Sequence, residues 1–212
     1  MFKEIIIIPT FNEYNSLNKI LNKISKKYKI IVVNDASTDK TTSLLKKKEI
    51  ESIKNKKNKG YEKSLIEGFK YVIKHYPDVR NIVTFDADGE HNTSDLGKIL
   101  KFYYRKKSDL LICNRRNIKR SSEKIINIVF EKNYKLKDPL SGLKVYKVNV
   151  LKKFIKKLDF NYFLVDLVKM YCKGRYKISN FPITCKIIKN RKARIGNIVN
   201  ANKKIFNIME II

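Results

Sequence analysis

Three short apolar runs, each breaking at proline or aspartate, set the strongest limit on how this chain folds. Glu4–Ile8 stops at Pro9, Lys29–Asn34 stops at Asp35, and Ile82–Phe85 stops at Asp86. Runs of this length with no polar alternation read as strands buried on both faces. Helical patterns lie between them. Leu17, Ile20, Leu21 and Ile24 mark one face of a helix predicted to start from an N-cap at Ser16 and reach Lys27. Leu44 and Leu45 mark a second helix, a weak strand is expected near Ile50–Ile53, and Tyr61–His75 carries the stripe Leu65, Ile66, Phe69, Val72 and Ile73. Strands alternating with helices predict an α/β fold: a Rossmann-like, mostly parallel sheet flanked by helices. Such sheets hold ligands where the strands end at their carboxyl edge. Pro9, Asp35, Asp86 and Asp88 all fall on that edge.

The third run continues as Asp86-Ala87-Asp88-Gly89-Glu90. Strand side chains alternate faces, so Asp86 and Asp88 point the same way if the strand persists through them. Gly89 then lets the chain bend and brings Glu90 back. Three carboxylates at one point repel one another unless a cation joins them. Hard oxygen ligands suit Mg2+ or Mn2+, and such ions share their coordination with substrate phosphates. The plainer alternative is an acidic turn that caps the next helix.

The second half is less regular. Helices are expected at Ser94–Tyr104, Ser121–Phe130, Val148–Lys157 and Tyr162–Tyr171, with strands at Asp109–Cys113, at Leu143–Tyr146 and within Tyr176–Cys185, where Pro182 points to a sheet edge. Asp138 opens a loop before the second of these strands. Ile198–Ile212 reads as an amphipathic tail, and core packing, a homodimer contact or a membrane face would each produce one.

At 212 residues the chain suits one large domain, or a domain with a small annex. A net charge of +28 favours anionic substrates or an anionic membrane surface. The basic residues are dispersed and no nucleic-acid module is recognisable, so nucleic acid is not the expected partner. Cys113, Cys172 and Cys185 are too few and scattered for a disulfide framework or a zinc site. No apolar stretch reaches the roughly 18 residues of a membrane span, and the start shows no signal-peptide layout. A cytoplasmic protein, peripheral at most to the inner face of the membrane, is the expectation.

Ile8-Pro9-Thr10-Phe11-Asn12-Glu13, Val32-Val33-Asn34-Asp35-Ala36-Ser37-Thr38-Asp39, Asn58-Lys59-Gly60-Tyr61 with Gly68-Phe69, and Asp86-Ala87-Asp88-Gly89-Glu90-His91 occur in that order. Together they resemble family 2 glycosyltransferases of the GT-A fold, and within them the dolichyl-phosphate mannose synthase-like polyprenyl-phosphate sugar transferases. Asp138-Pro139-Leu140-Ser141-Gly142-Leu143-Lys144-Val145-Tyr146 is similar to a segment of that group. The resemblance implies a nucleotide-binding half at 1–116, an acceptor-side half at 117–190 and a basic tail at 191–212. It implies that Pro9, Phe11, Glu13, Val33, Asp35, Asp86, Ala87 and Asp88 hold a nucleotide-diphosphate sugar. Asp86, Asp88 and Glu90 would position Mg2+ or Mn2+, and Arg115 would neutralise phosphate. The implied reaction is metal-dependent, inverting transfer of a sugar to polyprenyl phosphate. A glycan hydroxyl acceptor, as in capsule or lipopolysaccharide synthesis, is the rival. That rival needs a base, for which Asp138 is the candidate. Cys113-Asn114 departs from the usual Gly-Ser before Arg115, and Glu90 stands where glutamine is commoner. A basic nucleotide- or nucleic-acid-binding protein without turnover is the reading from another class.

Overall fold

The computed structural model describes residues 2–118, 121–155 and 163–186. A seven-stranded sheet forms its centre, built from β1 (Glu4–Thr10), β2 (Lys29–Asn34), β3 (Ser52–Lys54), β4 (Asn81–Thr84), β5 (Leu110–Arg115), β6 (Lys144–Lys147) and β7 (Ile178–Ile183). Their order is β3-β2-β1-β4-β6-β5-β7. Every pairing is parallel except those of β6, which runs antiparallel to both β4 and β5. The expected mostly parallel α/β sheet is therefore what forms, with one reversed strand inside it.

Period-two alternation sorts the apolar runs onto two helical layers. Ile5 and Ile7 of β1 join one core cluster with Ile31, Val33 and Ile82. Ile6 and Ile8 join the other with Val32 and Val83. The first face packs α3 (Tyr61–His75), α5 (Ser121–Tyr134), α6 (Val148–Phe154) and α7 (Phe163–Lys173). The second packs α1 (Tyr14–Lys23), α2 (Thr41–Lys47) and α4 (Leu96–Lys106), with a 3-10 turn at Thr93–Asp95 leading into α4. A strand flanked by helices on both sides needs apolar residues at every position, hence the unbroken isoleucines.

Two boundaries differ from expectation in instructive ways. Ser16 is not the N-cap of α1, which begins at Tyr14; its hydroxyl donates instead to the Glu13 carboxylate at 2.7 Å. The first turn is capped from across the fold, where Tyr14 N–H donates to Asp39 Oδ2 at 3.0 Å. Asp39 Oδ1 also accepts from Thr41 N–H at 2.9 Å in the first turn of α2. The second difference is β4, which ends at Thr84 instead of running on to Asp88. Pro182 does lie on an edge strand, β7, as expected. The proposed tail at 191–212, with Arg191 and Arg194, lies outside the described residues.

Phe69 of α3 is fully buried, and its ring meets Tyr146 of β6 edge-on at 5.1 Å between centroids. Phe69→Ala opens a void between helix and sheet. It is expected to cost about 3–5 kcal/mol, read as a lower urea midpoint at unchanged slope.

Candidate active site

Because β1, β2, β4 and β5 are mutually parallel, Thr10, Asn34, Thr84 and Arg115 all finish on one edge of the sheet. β6 runs the other way, so its start reaches that same edge. Thr84 pairs with Lys144, which places the Asp138–Leu143 loop beside the acidic turn. Two stretches more than fifty residues apart in sequence thus meet there.

Asp86 and Asp88 are both buried, at 5% exposure, although β4 has already ended. Tyr61 Oη donates to Asp86 Oδ1 at 2.6 Å, and His91 Nε2 lies 3.2 Å from Asp86 Oδ2. Gly142 presses against the same carboxylate. A β-carbon there would stand 2.1 Å from Asp86 Oδ2, so only glycine admits this approach. Asp88 Oδ1 accepts from Glu90 N–H at 2.8 Å across Gly89, whose φ of +82° favours glycine. Ala87, between them, packs into the second core cluster. Glu90 is half-buried, and its carbonyl accepts from Lys186 N–H at 2.9 Å.

Of the three carboxylates expected to position an ion, Asp86 and Asp88 are buried and Glu90 is half-buried. Among the described residues no three His, Cys, Asp or Glu groups stand close enough to hold an ion. What the turn supplies is two buried carboxylates on the ligand-binding edge. Mg2+ and Mn2+ are commonly held by one or two carboxylates, with phosphate and water oxygens completing the shell, so the donor set fits an ion shared with a diphosphate.

His91 went unassigned at the sequence level, since one histidine after an acidic turn has no spacing signature. It is 4% exposed. Its ring packs edge-on against Phe85 at 5.6 Å, and Nδ1 lies 3.6 Å from Cys185 Sγ. Burial opposes charge on the imidazole, but the hydrogen bond with Asp86, aided by Cys185, outweighs it and raises the pKa to about 10.

On the nucleoside side, Asp35 and Asn12 also fasten loops. Asp35 Oδ1 accepts from Asn55 Nδ2 at 2.7 Å and Lys59 N–H at 2.9 Å, and Oδ2 accepts from Gly60 N–H at 2.8 Å. Asn12, at φ +54°, accepts from Thr38 N–H at 2.8 Å, while its own N–H donates to Ser37 Oγ at 3.0 Å. Phe11 is 45% exposed just past the end of β1. Pro9 is buried. The Val33 side chain is 0% exposed and sits in the core under α3.

Arg115 and Asp138 form a closed pair. Arg115 Nε donates to Asp138 Oδ2 and Nη2 to Oδ1, each at 2.8 Å, while Arg115 N–H adds a third bond at 2.9 Å. Nη2 also lies 3.0 Å from Glu123 Oε2. Asp138, at φ +51° and 2% exposure, is fixed further by Asn127, which accepts its N–H at 2.6 Å. Beside it Lys144 is wholly buried and donates from Nζ to the Ser141 carbonyl. Burial pushes the Lys144 amine down to about 8, against the pull of Asp138 and Asp86 and with help from Arg115.

This last shift has a definite sign. From about pH 8 to the ordinary 10.5, the unfolded chain keeps a proton on Lys144 that the folded chain has released. Stability attributable to Lys144 therefore rises with pH across that window. Melting curves of wild type and Lys144→Met should diverge in favour of wild type between pH 8 and 10.5. A gap independent of pH contradicts the burial of this amine.

Comparison with known proteins gives a consistent result. The family model described as "Glycosyl transferase family 2" matches residues 5–154. The dolichol-phosphate mannosyltransferase of Pyrococcus furiosus is 27% identical over 204 residues, covering 84% of this chain and 55% of that protein. The UDP-N-acetylglucosamine–dolichyl-phosphate N-acetylglucosaminyltransferase of Methanococcus voltae is 30% identical over 115 residues, covering 45% of each. The chain thus spans about half the length of these two relatives. Glucosyl-3-phosphoglycerate synthase from Mycobacterium tuberculosis, solved with Mn2+, UDP and glucosyl-3-phosphoglycerate, superposes with a TM-score of 0.72. The alignment covers 98% of this chain and 77% of that one at 13% identity, which bears on the fold. With its sheet of the GT-A kind and the family model spanning most of its length, the chain belongs to glycosyl transferase family 2 and is a glycosyltransferase.

Proposed function

We propose that the chain transfers one sugar from a nucleotide-diphosphate donor to a polyprenyl phosphate, with inversion at the anomeric carbon and assisted by Mg2+ or Mn2+. The observation that carries this reading is the pair of buried carboxylates, Asp86 and Asp88, on the carboxyl edge of the sheet at the end of β4. The donor's nucleoside would lie over Phe11, Glu13 and the Asp35 loop, and its diphosphate at Asp86, Ala87 and Asp88. An ion bound by Asp86 and Asp88, with Glu90 nearby, would offset the charge that grows on the departing diphosphate. The acceptor oxygen forms a bond to the anomeric carbon as the bond to the phosphate oxygen breaks, and that electron pair leaves with the diphosphate.

The names of the two dolichyl-phosphate relatives support a lipid phosphate acceptor. A phosphate oxygen is already anionic and needs no base. The clamp of Arg115 on both oxygens of Asp138 agrees with that: Asp138 anchors the arginine, which would face the phosphate. Positioning and electrostatics then supply most of the acceleration. No helix among the described residues is long and apolar enough to cross a membrane, so lipid would be met at a surface. The +28 charge favours an anionic one.

Two measurements test this reading. Donor hydrolysis with Mn2+ across a panel of nucleotide sugars should fall on the order of 100-fold in Asp88→Ala, and equal turnover in the two proteins removes the metal-site reading. Polyprenyl phosphate should accept sugar where oligosaccharides do not, and the reverse preference installs the hydroxyl-acceptor reading with Asp138 as base.

A further inference from the structure

Asp86 is gripped at both oxygens by residues from two separate parts of the chain. Tyr61 reaches Oδ1 from the first position of α3, and His91 reaches Oδ2 from beyond the acidic turn. Each holder is itself held. Asp35 accepts from Lys59 and Gly60 N–H groups, the two residues just before Tyr61. His91 is pinned by Phe85 and Cys185, and Lys186 N–H fastens the neighbouring Glu90 carbonyl. The exit of β7 therefore straps the acidic turn from outside. Gly142 packs against the same carboxylate.

A carboxylate has about four lone-pair sites, and the bonds from Tyr61 and His91, one to each oxygen, remove rotation about its Cβ–carboxylate bond. Partners of this sort orient metal-ligating carboxylates, and their loss typically weakens metal binding by about 10–100-fold. We propose that Tyr61 and His91 are positioning residues that hold Asp86 in the orientation that binds the divalent ion and the donor diphosphate. Through Tyr61 the Asp35 loop, on the nucleoside side, is linked mechanically to the ion side, so the two ends of the donor site are set by one chain of contacts. The inference rests on the metal-dependent reading given under Proposed function.

The test is Mn2+ affinity of the full chain, read from the electron paramagnetic resonance signal of free Mn2+, with UDP and separately with GDP present. Tyr61→Phe removes one hydroxyl and should weaken Mn2+ about 10-fold. His91→Leu should do the same, and His91→Gln, which keeps a donor, should recover part of the loss. The double variant Tyr61→Phe with His91→Leu should lose less than the product of the two singles, since both act through one carboxylate. Asp88→Ala serves as the reference. If it loses Mn2+ while Tyr61→Phe and a folded His91→Leu bind like wild type, the positioning role is wrong and the metal reading stands. If Asp88→Ala also binds like wild type, or wild type binds no Mn2+ with either nucleotide, both fall together. Tyr61→Phe keeps the ring in place, so it decides the matter even where His91→Leu fails to fold.

Discussion

Two carboxylates buried at the open edge of a sheet are expensive, and the surrounding structure reads as the means of tolerating them. Removing a charge from water costs several kcal/mol per ion even after relaxation, unless hydrogen bonds and opposite charge compensate. Asp86 receives Tyr61 and His91, and Asp88 receives the Glu90 amide. Lys144, buried without exposure two residues beyond Gly142, feels both Asp86 and Asp138. Structures accept such a cost where chemistry needs fixed charge, because a preorganised field does no reorganisation work at the moment of reaction.

Topology explains how the compensation arrives. A purely parallel sheet delivers only strand ends to its carboxyl edge. Reversing β6 sends its start there too, so the Asp138–Lys144 segment lies against Asp86 and Arg115. Thr84 Oγ1 donates to the Gly142 carbonyl at 2.7 Å, and Ser141 Oγ donates to the Cys113 carbonyl at 2.7 Å. These two bonds seat the loop on β4 and β5 respectively. The Arg115–Asp138 fork then locks the start of that loop to the end of β5.

Much of this was legible in the sequence where burial on both faces dictates composition. β2 and α3 have the limits read from their patterns, Lys29–Asn34 and Tyr61–His75, because an unbroken apolar run and a 3.6-residue stripe are local signals. The direction of β6 was not legible, since a strand's side chains alternate identically in either orientation. The end of β4 at Thr84 was missed because Phe85 and Ala87 stay apolar for packing after the ladder has stopped. Asn12, Asp35 and Asp39 were visible as motif residues, but their hydrogen bonds serve the loops as well as any ligand. His91 and Lys144 gain their meaning only from neighbours distant in sequence, Cys185 for one and Asp86 with Asp138 for the other.

On the proposed function, the turn after β4 grips a nucleotide's diphosphate through a divalent ion. Its most direct test is diffraction at the manganese absorption edge from crystals soaked with Mn2+ and a nucleoside diphosphate. One strong anomalous peak is expected within coordination distance of the Asp88 carboxylate and of phosphate oxygens. A peak elsewhere on the molecule, or nucleotide bound at that edge with no manganese beside it, would contradict it.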